Sequence, residues 1–187
     1  KFKNQNTKIE GIWKNDFEAR YPDGYIDAST NLQPFCAWVV STIGNPTKFK
    51  NEAATYMNVP MMLFYYCTTE LFAMVDQRAK NMMLSFFEGK MYPIFYDSDT
   101  TLGVDNVGDI SFSYDVEYHD IVGSGYAWNA ESSTLFNNIE QAYQTEIAAM
   151  YASIRTALPY DKALSFFNKD QSDKWGEAIY NEDARFK

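Results

Sequence analysis

The apolar positions change their period along the chain, and each change marks an element. Lys1 to Ile9 is polar and charged, a linker or extended arm. Phe17, Ala19 and Tyr21 then alternate with Glu18 and Arg20, which predicts a short strand stopped by the proline and glycine of P-D-G at Pro22. The run F-C-A-W-V-V-S, from Phe35 to Ser41, is apolar almost throughout. With Thr30 or Asn31 as N-cap and Pro34 in the first turn it predicts a buried helix, a strand being the alternative. G-N-P at Gly44 ends it. Thr47 caps a helix to about Met57 with Phe49, Ala53 and Tyr56 on one face. Val59-Pro60 breaks that helix, because a residue before proline avoids the helical region. The next helix runs from Met61 to about Val75. It is apolar on nearly every side, so it belongs in the middle of the domain.

Two apolar runs follow, Met82 to Phe87 and Met91 to Tyr96, separated by Glu88-Gly89-Lys90. A short loop containing glycine suits an antiparallel hairpin. A helix continuing through Val75, Ala79, Met82 and Phe86 is the alternative. Pro93 confines the second strand to an edge or a bulge. The span from Thr100 to Ile121 is loop-rich, with Ile110, Phe112 and Tyr114 alternating as one more strand and a tight turn or hinge at Gly123. Ser132 or Ser133 caps a long helix to about Ala157, with Phe136, Ile139, Tyr143, Ile147, Met150 and Ile154 three or four residues apart. Pro159 stops it, Asp161 caps a helix through Phe167, and Ser172 caps another carrying Trp175, Ile179 and Phe186. The expected fold is α+β, mostly helical, with a central β-hairpin. Residues 1–45 form an N-terminal arm and a strand or linker region, and residues 46–187 form the main domain.

Composition narrows the possibilities. The 187 residues are 46% hydrophobic and 17% aromatic, enough for a sizeable core. A net charge of −9 argues against nucleic acid as the main partner, since phosphate binding needs clustered Lys and Arg. The two cysteines, Cys36 and Cys67, sit in apolar surroundings and match no zinc or redox spacing, so buried free thiols are expected. His119, the single histidine, reads as a structural residue. No run reaches the ~18 apolar residues of a membrane span. The chain starts at Lys1 without methionine and ends in N-E-D-A-R-F-K, which reads as a piece of a longer polypeptide.

The candidate chemistry lies between Val75 and Gly103. Asp76 is followed five residues on by Asn81, and Asp97 and Asp99 come after the predicted hairpin. Phosphoryl transfer needs a carboxylate near the acceptor hydroxyl and oxygen ligands that hold Mg²⁺ on the phosphates. Asp76 as base, with Asn81 and Asp97 as metal ligands, meets that need, and a hairpin would fold the two ligands back together. The bland alternative is that Asp76 caps a helix, Asn81 ends one, and Asp97 and Asp99 sit in a turn. D-S-D-T-T also resembles the start of an EF-hand loop. However, Leu102 stands where the glycine is required and Gly108 where the closing glutamate belongs, so an EF-hand is rejected. An irregular Ca²⁺ or Mg²⁺ site using Asp97, Asp99, Asp105 or Asp109 remains open.

The stretch V-D-Q-R-A-K-N-M-M-L-S-F-F-E-G-K-M-Y-P-I-F-Y-D-S-D-T-T-L-G resembles the core of the CotH family of atypical kinases. That family has an aspartate and a following asparagine, a strand pair, and an aromatic-D-x-D-x-x-x-G segment. The helical run M-M-L-F-Y-Y-C-T-T-E-L-F resembles the helix before the family's catalytic loop. The resemblance implies a kinase C-lobe-like fold, Asp76 as base, and Asn81 and Asp97 as metal ligands with Asp99 nearby. The motifs D-F-E-A-R-Y-P-D-G, D-Q-R-A-K-N, F-Y-D-S-D-T-T-L-G, E-I-A-A-M-Y and Q-S-D-K-W-G-E-A-I-Y-N-E-D-A-R-F-K resemble structural tail proteins of short-tailed gut bacteriophages, the crAss-like group among them.

Together the resemblances imply a virion structural protein, a muzzle or hub segment built on a kinase-like module. Its expected partners are other tail proteins and other segments of the same polypeptide, in a homo-oligomeric ring. No membrane span and no direct nucleic-acid binding are expected. The residues before the helical region are too few for a kinase N-lobe, and no glycine-rich loop precedes Asp76. A phosphate-binding lysine is therefore expected upstream, and the chain alone is expected to be inactive. An Mg-dependent CotH-type kinase acting on a protein or another hydroxyl acceptor is the alternative.

Overall fold

The computed structural model describes residues 1, 9–21, 28–74, 77–78, 81–98, 101–102 and 133–172, with 167–172 described in backbone alone. Its elements are α1 (Trp13–Asp16), α2 (Ala28–Ser41), α3 (Pro46–Tyr56), α4 (Val59–Leu71), β1 (Met83–Phe87), β2 (Lys90–Ile94), α5 (Thr134–Ala142), α6 (Gln144–Ala157) and α7 (Tyr160–Ser172). The fold is α+β and mostly helical, with one antiparallel hairpin among the described residues. The chain divides into two compact units, Lys1–Met150 and Tyr151–Lys187. In the second, Lys162 Nζ donates to the Ala157 carbonyl at 2.9 Å, closing the turn into α7.

Local chemistry explains most of the helix boundaries. Asn45, not Thr47, caps α3, its side chain accepting from Lys48 N at 3.0 Å, and Pro46 occupies the first turn, where no N–H is needed. Asn58 caps α4 in the same way through Met61 N. The helix α4 stops at Leu71, short of the expected Val75. Ala73 N donates to Glu70 O and Met74 N to Thr69 O, while Ala73 takes a left-handed φ of 43°. This is a Schellman termination built on alanine instead of glycine. Helix α2 starts at Ala28, so Pro34 lies inside it and neither Thr30 nor Asn31 is the cap. An interior proline costs about 3 kcal/mol. Burial of Phe35, Cys36, Trp38 and Val39 on one face opposes that cost.

The hairpin pairs Met83 with Ile94 through Phe87 with Lys90. Lys90 is therefore in the strand, and the turn is Glu88-Gly89 alone. Both turn residues have positive φ, 47° and 80°, as a type I′ turn requires. The helical alternative for this stretch does not hold. Pro93 pairs with Leu84, and β2 meets Met57 on its outer side, where Asn58 N donates to Met91 O. No named strand forms at Phe17–Tyr21, although Phe17 is buried.

Ser133 caps α5 through Phe136 N at 3.2 Å. The expected long helix is broken at Tyr143, whose φ of −124° and ψ of 27° separate α5 from α6. Tyr143 packs edge-on against Phe49, and its hydroxyl donates to Lys50 O at 3.4 Å. Asp161 lies in the first turn of α7, which continues past Phe167 to Ser172. Expectations for His119, for the strand at Ile110, Phe112 and Tyr114, and for a helix carrying Trp175 and Ile179 concern residues outside those described.

The core of the first unit is aromatic. Trp38 stacks between Phe49 and Tyr56, each centroid 4.7 Å away. Asn138 on α5 donates to Val39 O at 3.0 Å, satisfying a carbonyl at the end of α2. Cys36 and Cys67 are buried free thiols, as expected. No helix among the described residues is long and apolar enough to cross a membrane.

Candidate functional site

The end of α4, the segment 77–81 and the hairpin together place the candidate residues. Chain connectivity does part of the work: Asn81 lies two residues before β1, and Asp97 three residues after β2. Because β1 and β2 are antiparallel with Met83 opposite Ile94, the residues just outside that pair return to the same end of the hairpin. Asn81 Nδ2 donates to the Asp97 carbonyl at 3.4 Å. Asn81 and Asp97 are thus brought together, as their spacing predicted. Asp76 and Asp99 lie outside the described residues, as do Asp105 and Asp109.

The two described candidates differ in environment. Asn81 is buried, and its side-chain Oδ1 has no hydrogen-bond partner among the described residues. A buried carbonyl left without a donor costs roughly 1–3 kcal/mol, so its retention calls for an explanation. Asp97 is exposed and has a φ of 57°, a left-handed conformation that costs energy in any residue bearing a Cβ. Aspartate is among the side chains that tolerate it best.

Two further residues hold the segment, and hydropathy hid both. Gln77 and Arg78 read as loop polarity, yet they are 0% and 4% exposed. Gln77 Nε2 donates to Tyr96 O at 2.8 Å and to Asp97 O at 2.9 Å. Tyr65, buried on α4, donates its hydroxyl to Gln77 O at 2.5 Å. Burial pushes the Tyr65 phenol upward despite the opposing effect of Arg78, so the hydroxyl stays a donor. Arg78 turns the other way. It pairs with Glu70 and lies over the rings of Tyr66, at 4.7 Å, and Phe136, at 5.4 Å. Cation–π contact suits a guanidinium that is this deeply buried. The available sequence signal was a polar Gln-Arg pair directly after an almost wholly apolar helix.

A cavity of about 520 Å³ opens beside the hairpin. Met83, Leu84, Met91 and Ile94 line one side, and Phe17, Ala28 and Leu32 another, with Glu18 and Arg20 among its polar groups. Arg20 and Glu18 form an ion pair at 2.6 Å. Met83 and Ile94, which line the hollow, are two and three residues from Asn81 and Asp97 along the chain, though neither Asn81 nor Asp97 lines it. An apolar hollow with a few polar groups is the usual form of a small-molecule site.

The donor set suits a hard divalent cation. The Asn81 side-chain oxygen, with no hydrogen-bond partner among the described residues, and the oxygens of Asp97, whose backbone carbonyl lies 3.4 Å from Asn81 Nδ2, are oxygen ligands of the kind Mg²⁺ and Ca²⁺ accept, and Asn81 and Asp97 would be the holders. Among the described residues no three His, Cys, Asp or Glu side chains gather as a metal site. A trio made of Asp97, Asp76 and Asp99 needs two residues from outside them.

Comparison with known proteins gives one match. The family model described as CotH kinase protein matches residues 3–158. No curated protein and no solved structure matches. The matched span takes in the hairpin, the 77–81 segment and the pairing of Asn81 with Asp97, and on that extent the chain belongs to the CotH kinase family.

Proposed function

We propose that this chain is a phosphoryl-transfer module of the CotH type, moving the terminal phosphate of a nucleoside triphosphate to a hydroxyl acceptor with a divalent cation. The observation that carries the reading is the buried Asn81 Oδ1, without a hydrogen-bond partner among the described residues, on a side chain whose amide nitrogen bonds the Asp97 carbonyl. In this reading Asn81 and Asp97 hold the cation, with Asp99 nearby, and Asp76 accepts the proton of the attacking hydroxyl. The cation, Mg²⁺ or Ca²⁺, would neutralise phosphate charge and keep the phosphates in line. The apolar hollow along Met83 and Leu84 is suited to a flat, weakly polar group such as a nucleobase. The test is transfer of label from ATP by a longer polypeptide that carries this chain, with Mg²⁺ present. Loss of transfer in Asp76→Ala, with the fold intact by circular dichroism, is expected. Unchanged transfer in that variant overturns the assignment of the base.

A second reading concerns where such a module works. The tail-protein motifs described above support a structural place in a phage virion, within a muzzle or hub and in contact with other tail chains. The exposed aromatics Phe87 and Tyr160, 60% and 76% accessible, are side chains of the kind that protein contacts cover. Mass spectrometry of purified virions should find peptides of this chain. Their absence from intact particles sinks the tail reading and leaves the phosphoryl-transfer reading untouched.

A further inference from the structure

Gln77 offers an unusual use of one amide. Both protons of its Nε2 are spent on successive carbonyls, those of Tyr96 and Asp97. The Asp97 carbonyl is also the acceptor of Asn81 Nδ2. Asp97 sits in the left-handed region at φ 57°. Nothing in a free Tyr-Asp pair favours that conformation, and most L residues leave it when unconstrained. Fixing the carbonyls on both sides of the Asp97 Cα fixes the peptide planes that define its φ and ψ. This in turn sets the direction of its Cα–Cβ bond.

The clamp is itself anchored. Gln77 is fully buried, and the Tyr65 hydroxyl holds its backbone carbonyl at 2.5 Å and reaches its side-chain Oε1 at 3.5 Å. Tyr65 belongs to α4 and stacks on Phe136 of α5, so the clamp is tied to the helical core. The neighbouring Arg78 is buried among Tyr66, Phe136 and Glu70. Two consecutive buried polar residues thus bond in opposite directions, Arg78 to the helices and Gln77 to the Asp97 strand end.

We infer that Gln77 is a positioning residue: its side-chain amide holds Asp97 in its left-handed conformation and sets the approach of Asn81 and Asp97 to one cation. The inference rests on the proposed metal-dependent reading. Gln77 touches neither cation nor phosphate in this role. It acts only through the carbonyls it binds. Residues that orient ligands in this way typically change metal affinity by about 10–100-fold when replaced.

Binding of Mn²⁺, used as a spectroscopic stand-in for Mg²⁺, is measured by electron paramagnetic resonance on the folded chain with no substrate. The wild type is compared with Gln77→Met, which keeps the side-chain length but removes both donors. Asn138→Ala serves as a control, deleting a buried amide that bonds Val39 O and Thr42 away from the site. Mn²⁺ affinity at least about tenfold weaker in Gln77→Met, and unchanged in Asn138→Ala, supports the inference. Faster hydrogen exchange of the 95–98 backbone in Gln77→Met should accompany it. Equal Mn²⁺ affinity in wild type and Gln77→Met overturns the inference and leaves the metal reading standing. No Mn²⁺ binding by the wild type overturns the metal reading and the inference with it. If Gln77→Met does not fold, Gln77→Leu replaces it: an uncharged side chain of similar bulk that offers no donor to either carbonyl, and the same tenfold criterion applies.

Discussion

Two buried regions of the first unit are built on opposite principles. Around Trp38 the packing is aromatic: Phe49 and Tyr56 stack on its two sides and Tyr143 meets Phe49 edge-on. Among the described residues of 77–81 the buried side chains are Gln77, Arg78 and Asn81. The first region gains from area removed from water and from ring geometry, about 0.5–1.5 kcal/mol per pair beyond burial. The second has to satisfy most of the polar atoms it buries; among the described residues Asn81 Oδ1 there has no hydrogen-bond partner, as Trp38 Nε1 has none in the aromatic region. The contrast teaches that the aromatic region provides the stability and the polar region spends part of it on fixing atoms in space.

The largest effect is expected from breaking the aromatic side. Trp38→Ala should cost about 3–5 kcal/mol, read from urea unfolding, because a large side chain in contact with three rings on two helices leaves a cavity. A loss below about 1 kcal/mol would mean that this stack does not carry the fold. A smaller effect is expected from the polar side. Arg78→Met should cost about 2–3 kcal/mol by leaving Glu70 without its partner, discounted because Glu70 is partly exposed. Glu70→Gln in the same chain should restore part of that loss. If the double variant is no more stable than Arg78→Met, the ion pair is not what Arg78 contributes.

The smallest effect sharpens the comparison through pH. Asp16 is buried, and burial raises its carboxyl above the usual 3.8 against the hydrogen bonds from Glu10 and Gly11. The folded state then holds its proton to higher pH than the unfolded state. Stability from this group is therefore greatest at low pH and falls as pH rises from 3.8 through the raised folded value. Asp16→Asn should raise the melting temperature slightly at pH 7, with the gain vanishing near pH 3.5. A gain that persists unchanged into acid would exclude ionisation as its cause.

The sequence was readable where chemistry is local. The hairpin, the helices under Phe49 and Tyr65, and the buried thiols all follow from period, turn residues and hydropathy. Reading failed where an element's end depends on something distant. Alanine at position 73 gives no stop signal, yet the chain turns there, with Leu102 N bonded to Phe72 O at 2.6 Å just beyond. Tyr143 fits the helical period and still breaks the helix, because its ring and hydroxyl are engaged by α3. At the site, the order of Asn81, hairpin and Asp97 was legible as a motif. Gln77 was not, since a polar residue in a polar run looks solvated until its partners are known.

The sequence by itself pointed to the α+β class and to a hairpin, with a continuing helix as its rival; given the hairpin, Asn81 and Asp97 come together because an antiparallel turn returns its two flanks to one place. Tertiary structure decided which polar groups are buried and what they hold. It turned Gln77 inward onto two carbonyls, set Arg78 over two rings, and buried Asn81 Oδ1 without a partner among the described residues. The reason is that hydrogen bonds are directional and involve residues far apart in the chain, whereas periodicity records only which face is apolar.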